Sequence, residues 1–253
     1  MGDMPLTLAF SILLGFLSAA LFGVVGWAIH RRRVSPESRP ARDAFVVWWA
    51  TLSFISLTSA LLLGAATLGL HDLAFVLTLS LALLALLCLG FWGLLSYLLF
   101  IYRNDNRFRL ALSGFYFLLY VFLVYVILRR QPTGVVLTDW SVTLAYAHPA
   151  GAAASVVGLL FLLPIIVGAG AYLSLYRKMA EPWLRRRVLI VGTSILLWFL
   201  SSVPGSTSQE LAQGQAWQVA SRLIGLAATL AILYAYTGLK PKDATVPARL
   251  EQG

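Results

Sequence analysis

Seven long apolar runs divide the chain, at about Pro5–Ile29, Ala44–Leu68, Leu73–Ile101, Leu110–Leu128, Ala150–Leu175, Val188–Val203 and Trp217–Tyr236. A helix needs roughly 20 predominantly apolar residues to cross the hydrocarbon core of a bilayer, and backbone placed there must satisfy its own hydrogen bonds. The runs therefore predict an all-α integral membrane protein, a bundle of seven transmembrane helices. The sixth run is the shortest and predicts a helix that begins earlier, within Trp183–Arg187. Composition agrees: 60% of residues are hydrophobic and 11% charged, a balance outside that of soluble domains. Residues 1–238 form the transmembrane domain, and 239–253 a short basic tail too small to fold alone. The first run has no basic residue before it and the cluster His30-Arg31-Arg32-Arg33 behind it, which reads as an outward N-terminus and not a cleavable signal.

The basic residues then orient the bundle. With the N-terminus outside, the inner segments hold Arg31, Arg32, Arg33, Arg39, Arg42, Arg103, Arg107, Arg109, Arg177, Lys178, Arg185, Arg186, Arg187, Lys240, Lys242 and Arg249, which is 16 of the 19. Only Arg129, Arg130 and Arg222 fall toward the outside, so the positive-inside rule gives an N-out, C-in protein. The net charge of +9 is accordingly a topology signal, divided among short loops beside anionic headgroups, and it does not point to nucleic acid.

Within the runs, Ser56, Ala60 and Gly64 make a small-residue line suited to close helix packing, and Trp48 and Trp49 are placed near a membrane interface. The outer half of the third run is almost wholly aliphatic and predicts lipid contact. Pro164 interrupts the fifth run and is the candidate hinge. The largest outer connection, Arg129–Pro149, opens with a Gln131-Pro132-Thr133-Gly134 turn. Val135–Tyr146 follows as a short interfacial or extended piece.

Arg222 is the one charge inside an otherwise clean span, and an arginine there costs several kcal/mol unless it snorkels or finds a partner. Steps of three and four place Gln218, Arg222, Gly225, Thr229 and Tyr236 on one face, with Leu223, Leu226, Leu230 and Leu233 elsewhere. Two readings stand: the guanidinium reaches up to the headgroups, or it faces the bundle and meets an acidic or carbonyl partner, with Glu210 and Asp139 the leading acids. The second reading makes a ligand-binding set of Arg222, Gln218, Glu210, Asp139, Trp140, Tyr146 and His148. Arg129 and Arg130 pose the same choice between snorkelling and holding an anion.

Catalytic constellations are not visible. No lysine lies in a span, which excludes a retinal Schiff base, and no span holds a deep histidine for a transmembrane haem or a serine–histidine pair. His71, Asp72 and His148 sit at outer ends, where loop histidines are ordinary surface residues. The expectation is therefore no cofactor, no metal and no enzyme activity.

Four stretches are similar to the seven-helix membrane sensor region at the N-terminus of many bacterial histidine kinases and diguanylate cyclases. They are Ala44–Ala50 with its tryptophans, Phe100-Ile101-Tyr102-Arg103, Tyr146–Gly151, and Arg185-Arg186-Arg187 through Gly192. The resemblance spans nearly the whole chain and implies a bacterial inner-membrane bundle that senses a ligand at its outer face or within the membrane. In that family the seventh span leads into a cytoplasmic output domain, whereas here about sixteen residues follow it. The expectation is thus a non-enzymatic, receptor-like protein that signals through a membrane or cytoplasmic partner docked on the basic inner loops. The alternative is an accessory or scaffold subunit of a larger membrane complex, or a small transporter subunit.

Overall fold

The computed structural model describes residues 6–100, 105–138, 140–148, 152–207 and 215–239, with 152–155, 157–159, 201–207, 215, 216 and Gln218 described by their backbone alone. Each apolar run is a helix: α1 Leu6–His30, α2 Arg39–Thr67, α3 Leu73–Leu99, α4 Asn106–Arg129, α5 Ala152–Ser174, α6 Pro182–Thr207 and α7 Gln215–Thr237. Among the described residues, six of these helices are long and apolar enough to cross a membrane; the described part of α6 opens with Arg185, Arg186 and Arg187. As the short sixth run predicts, α6 starts ahead of its apolar stretch.

Local chemistry sets the helix ends. Asp72 accepts from the backbone N–H groups of Ala74 and Phe75, and Asp105 from that of Arg107, so both acids satisfy first-turn donors. Helix α2 stops at Gly69, where φ of +80° lets the Leu70 and Gly69 N–H groups return to the carbonyls of Ala65 and Ala66.

Helices α1, α2, α3, α5, α6 and α7 close a ring, α7 returning to α1, and α4 packs on the outside of α3. Close approach is built from small residues. A Cβ on Gly93 would lie 2.5 Å from the Ala44 carbonyl oxygen, and one on Gly15 2.8 Å from Ala60 Cβ, so α2 is pressed against both α3 and α1. Ser53 adds a hydrogen bond to the Ala19 carbonyl at 2.7 Å. Of the expected small-residue line, Ala60 makes this contact, while a Cβ on Gly64 would meet nothing within 4 Å.

The middle of the ring is aromatic. Trp48 stands edge-on to Phe91 and to Trp198, with ring centroids 5.6 Å apart in each case, and Phe91 meets Phe161 at 4.9 Å. Trp48 and Trp49 are 3% and 2% exposed, so they belong to the core and not to the interfacial belt the sequence suggests. Below them three hydroxyls meet: Tyr97 lies 2.6 Å from Tyr236 and 3.0 Å from Tyr172, tying α3, α7 and α5 together. The outer surface is apolar, with Leu13, Phe117, Leu118 and Leu230 all exposed, as a lipid-facing wall requires. The first half of α3 is mostly half-buried: past Val76 its next buried residue is Cys88.

One element departs from an all-helical reading. The Pro132–Leu137 strand (β1) pairs antiparallel with Val142–Tyr146 (β2), Val135 opposite Leu144 and Leu137 opposite Val142. The β-branched Val135, Val136, Val142 and Thr143 lie in the paired strands, and Thr138 closes the turn by accepting from the N–H groups of Trp140 and Ser141. The hairpin lies over the ends of α2 and α3. It marks one end of the bundle; the loops with most of the described arginines mark the other.

Candidate functional site

At the hairpin end a cavity of about 260 Å³ opens between α1, α2, α6 and α7. Five serines line it, Ser11 and Ser18 from α1, Ser56 and Ser59 from α2, and Ser221 from α7, with Arg222 beside them. Two hydroxyls also bond their own helix: Ser11 donates to the Thr7 carbonyl and Ser18 to that of Leu14, an arrangement that leaves each oxygen able to accept. Gly15 and Gly225 line it too, and a side chain on Gly225 would run into the Trp198 indole, with Cβ to Nε1 at 3.2 Å. At this size the cavity suits a ligand of a few heavy atoms or a handful of waters, at the small end of ligand pockets.

Arg222 is held from two sides. One terminal nitrogen donates to the Trp140 carbonyl at 3.0 Å and the other to the Ser11 carbonyl at 3.4 Å, while the guanidinium carbon stands 5.1 Å from the centre of the Trp140 ring. The residue therefore turns into the bundle, and its partners among the described residues are carbonyls, not carboxylates. Glu210 and Asp139, the acids expected to meet it, lie outside the described residues. The rest of its face behaves as its polarity predicts. Gly225, Thr229 and Tyr236 are buried, Thr229 donates to the Gly225 carbonyl at 2.7 Å, and Leu223 and Leu230 are exposed.

Trp140, at the tip of the hairpin, is 8% exposed and lines the cavity; its indole nitrogen is buried without a described partner. The hairpin is therefore the lid of the site and also supplies one of the two carbonyls that fix Arg222. Tyr146 and His148, expected beside it, do not line the cavity. They join Arg130 at the foot of the hairpin: the Arg130 guanidinium lies 3.7 Å from the Tyr146 ring centre and donates to the His148 carbonyl at 3.2 Å. Burial pushes the Tyr146 phenol up, and the Arg130 charge partly offsets that. Arg129 donates to the Tyr125 hydroxyl at 3.0 Å. Arg129 and Arg130 are thus both engaged by the protein. Pro164 sits inside α5, which runs unbroken from Ala152 to Ser174, and it is not among the cavity's lining residues.

The serines of α1 were missed, although steps of four and three from Ser11 reach Gly15 and Ser18, a small polar stripe in an otherwise apolar helix. Compared with known proteins, the chain matches no family model, no curated protein and no solved structure.

Proposed function

We propose that this protein is a seven-span, receptor-like membrane sensor that takes a small anionic ligand in the serine-lined cavity and signals through a partner at its arginine-rich end. One observation carries the reading. A guanidinium inside an apolar bundle is held at the wall of a hydroxyl-lined cavity by two neutral carbonyls, with no described carboxylate to cancel its charge. Carbonyls orient the group and leave a positive field directed at whatever enters, which is the complement of a carboxylate or similar anion.

We place the bundle in a bacterial inner membrane with α6 as the sixth of seven spans; the division of basic residues supports an N-out, C-in orientation with the hairpin outside. A ligand bridging Arg222 and the serines of α1 and α2 would draw α7 and the hairpin toward them. The change would reach the far end through α7, whose Tyr236 is bonded to Tyr97 of α3. Pro164, which removes one backbone donor from α5, is the place where that helix would yield.

The test is thermal unfolding of the purified protein with acetate, succinate and sulfate, each beside its neutral analogue or ionic-strength control. A saturable stabilisation by an anion that disappears in Arg222→Gln is the expected result. No anion-dependent shift, with the protein co-purifying instead as a fixed member of a larger complex, would favour the accessory-subunit reading.

A further inference from the structure

We infer that the arginine-rich end of the bundle carries a second site, for a phosphate group, held by Arg32 and Arg187 over the ring of Tyr236. A cavity of about 470 Å³ lies there, lined by Arg32, Arg33, Arg42, Arg187, Tyr172 and Tyr236 among others, and no carboxylate among the described residues lines it. Arg32 follows α1 and Arg187 lies in the second turn of α6, yet both converge on one ring from α7. Their guanidinium carbons stand 5.6 and 4.0 Å from its centre.

Of the four arginines, Arg42 is already occupied: it pairs with Asp43 at 2.7 Å and donates to the Arg32 carbonyl. The guanidinium groups of Arg32 and Arg187 make no hydrogen bond or ion pair to any described residue. Burial and the neighbouring Arg187 charge both work against the Arg32 cation, and Tyr236 offsets them in part. The Tyr236 ring that brings them together is fixed in turn, because its hydroxyl is bonded to Tyr97.

Two like charges gathered on one ring, in a cavity with no acid among the described residues, form a site that an anion completes. Guanidinium groups present planar forks of N–H donors, and two of them match the several oxygens of a phosphate better than a single carboxylate. The phosphate has two possible sources at the end of a membrane bundle: the headgroup of an anionic lipid, or a free phosphate compound. The inference is independent of the cavity at Arg222 and of the orientation of the chain.

The experiment compares the wild type with Arg32→Gln, Arg187→Gln and their double variant, and with Arg31→Gln as control. Arg31 stacks on Trp27 at 4.2 Å and does not line the cavity. Each protein is titrated with inorganic phosphate in detergent. Each is also reconstituted in phosphatidylcholine discs with and without phosphatidylglycerol, following thermal unfolding and the lipid retained on re-extraction. The expected result is saturable stabilisation in at least one arm, weakened tenfold or more by the double variant and unchanged by Arg31→Gln. A response to inorganic phosphate that competes with the lipid identifies the free compound, and retained phosphatidylglycerol that phosphate does not displace identifies the headgroup. Each single variant should also raise the unfolding temperature in the absence of any anion, because it relieves the repulsion. Should the double variant fail to fold, Arg187→Lys keeps the charge without the fork and should bind several-fold more weakly. Absence of stabilisation in both arms, or an equal loss in Arg31→Gln, would overturn the site and leave only diffuse surface charge.

Discussion

Arg222 of α7 donates to the backbone carbonyl of Trp140 at the hairpin tip, 3.0 Å away, and so ties the last helix to the only described β-structure in the chain. The bond explains how a guanidinium is tolerated within a helix bundle: it exchanges water for two carbonyls and an indole face. Among the described residues, replacing Arg222 by leucine strands neutral carbonyls, not an acid. The expected cost is roughly 1–3 kcal/mol, the range for a buried group that loses its hydrogen-bond partner. A buried ion pair broken at one end would cost more, about 3–5 kcal/mol, and a snorkelling arginine almost nothing. Reversible unfolding in mixed micelles separates the three outcomes. A double-mutant cycle with Trp140→Ala, which removes the ring but keeps the carbonyl, should show coupling of about 0.5–2 kcal/mol from the stacked indole.

Glycine substitutions should sort by helix contact and not by position in the span. Gly93→Ala places a methyl 2.5 Å from a backbone oxygen of α2, and backbone cannot move aside as a flexible side chain can. The two helices must separate, at a cost of about 1–3 kcal/mol. Gly64→Ala, where a Cβ meets nothing within 4 Å, should be neutral or stabilising by up to about 1 kcal/mol through helix propensity. Equal effects at the two positions, measured by unfolding in the same micelles, would contradict the packing of α2 on α3.

The helices were legible because hydrophobic length and helix termini are local properties, written in consecutive residues such as Leu73–Leu99 and its Asp72 cap. The polar face of α7 was legible for the same reason, through its helical period. What escaped was long-range. Nothing in the Thr138–Ser141 turn says that its tryptophan folds back over Arg222, and an extended reading of Val135–Tyr146 left the direction of the strand open. The tyrosine cluster joins residues 75 and 139 positions apart along the chain, one from each of three helices, so no window of sequence contains it. The two core tryptophans of α2 misled for a physical reason as well: an amphipathic ring serves a membrane interface or a packed core, and only the neighbouring helices decide between them.

Tyr97 is the hub of that cluster, since it bonds both Tyr172 and Tyr236 while those two bond it. Tyr97→Phe deprives two buried hydroxyls of their described side-chain partner at once and should cost about 1–3 kcal/mol. Tyr172→Phe leaves the 2.6 Å bond to Tyr236 intact and should cost less, about 0.5–1.5 kcal/mol. In the Tyr97→Phe variant the Tyr236 ring also loses its tether beneath Arg32 and Arg187. Any anion-dependent stabilisation at that end should therefore weaken together with the fold, whereas anion binding at the Arg222 cavity should not change. Unfolding titrations with and without phosphate, in the two single variants, provide the comparison.

The placement of the bundle in its membrane is open to a direct measurement, because the single cysteine, Cys88, is buried and contributes little background to thiol labelling. Ser35 lies in the arginine-bearing loop between α1 and α2, and Thr143 lies on the hairpin; both are exposed. If 16 of 19 basic residues face the cytoplasm, a membrane-impermeant maleimide added to intact cells should label Thr143→Cys and spare Ser35→Cys. Permeabilised cells should label both. The physical basis is the preference of arginine and lysine for the cytoplasmic side, worth about 1 kcal/mol for each residue near an anionic surface, so that a cluster of this size outweighs Arg129 and Arg130 on the other side. Labelling of Ser35→Cys in intact cells would place the hairpin and the Arg222 cavity inside. The ligand proposed for that cavity would then have to be cytoplasmic, and the partner surface would lie outside. Labelling of neither residue before permeabilisation would mean that the hairpin is covered, and a proteolysis footprint across Pro132–Tyr146 would show whether its cover is another protein.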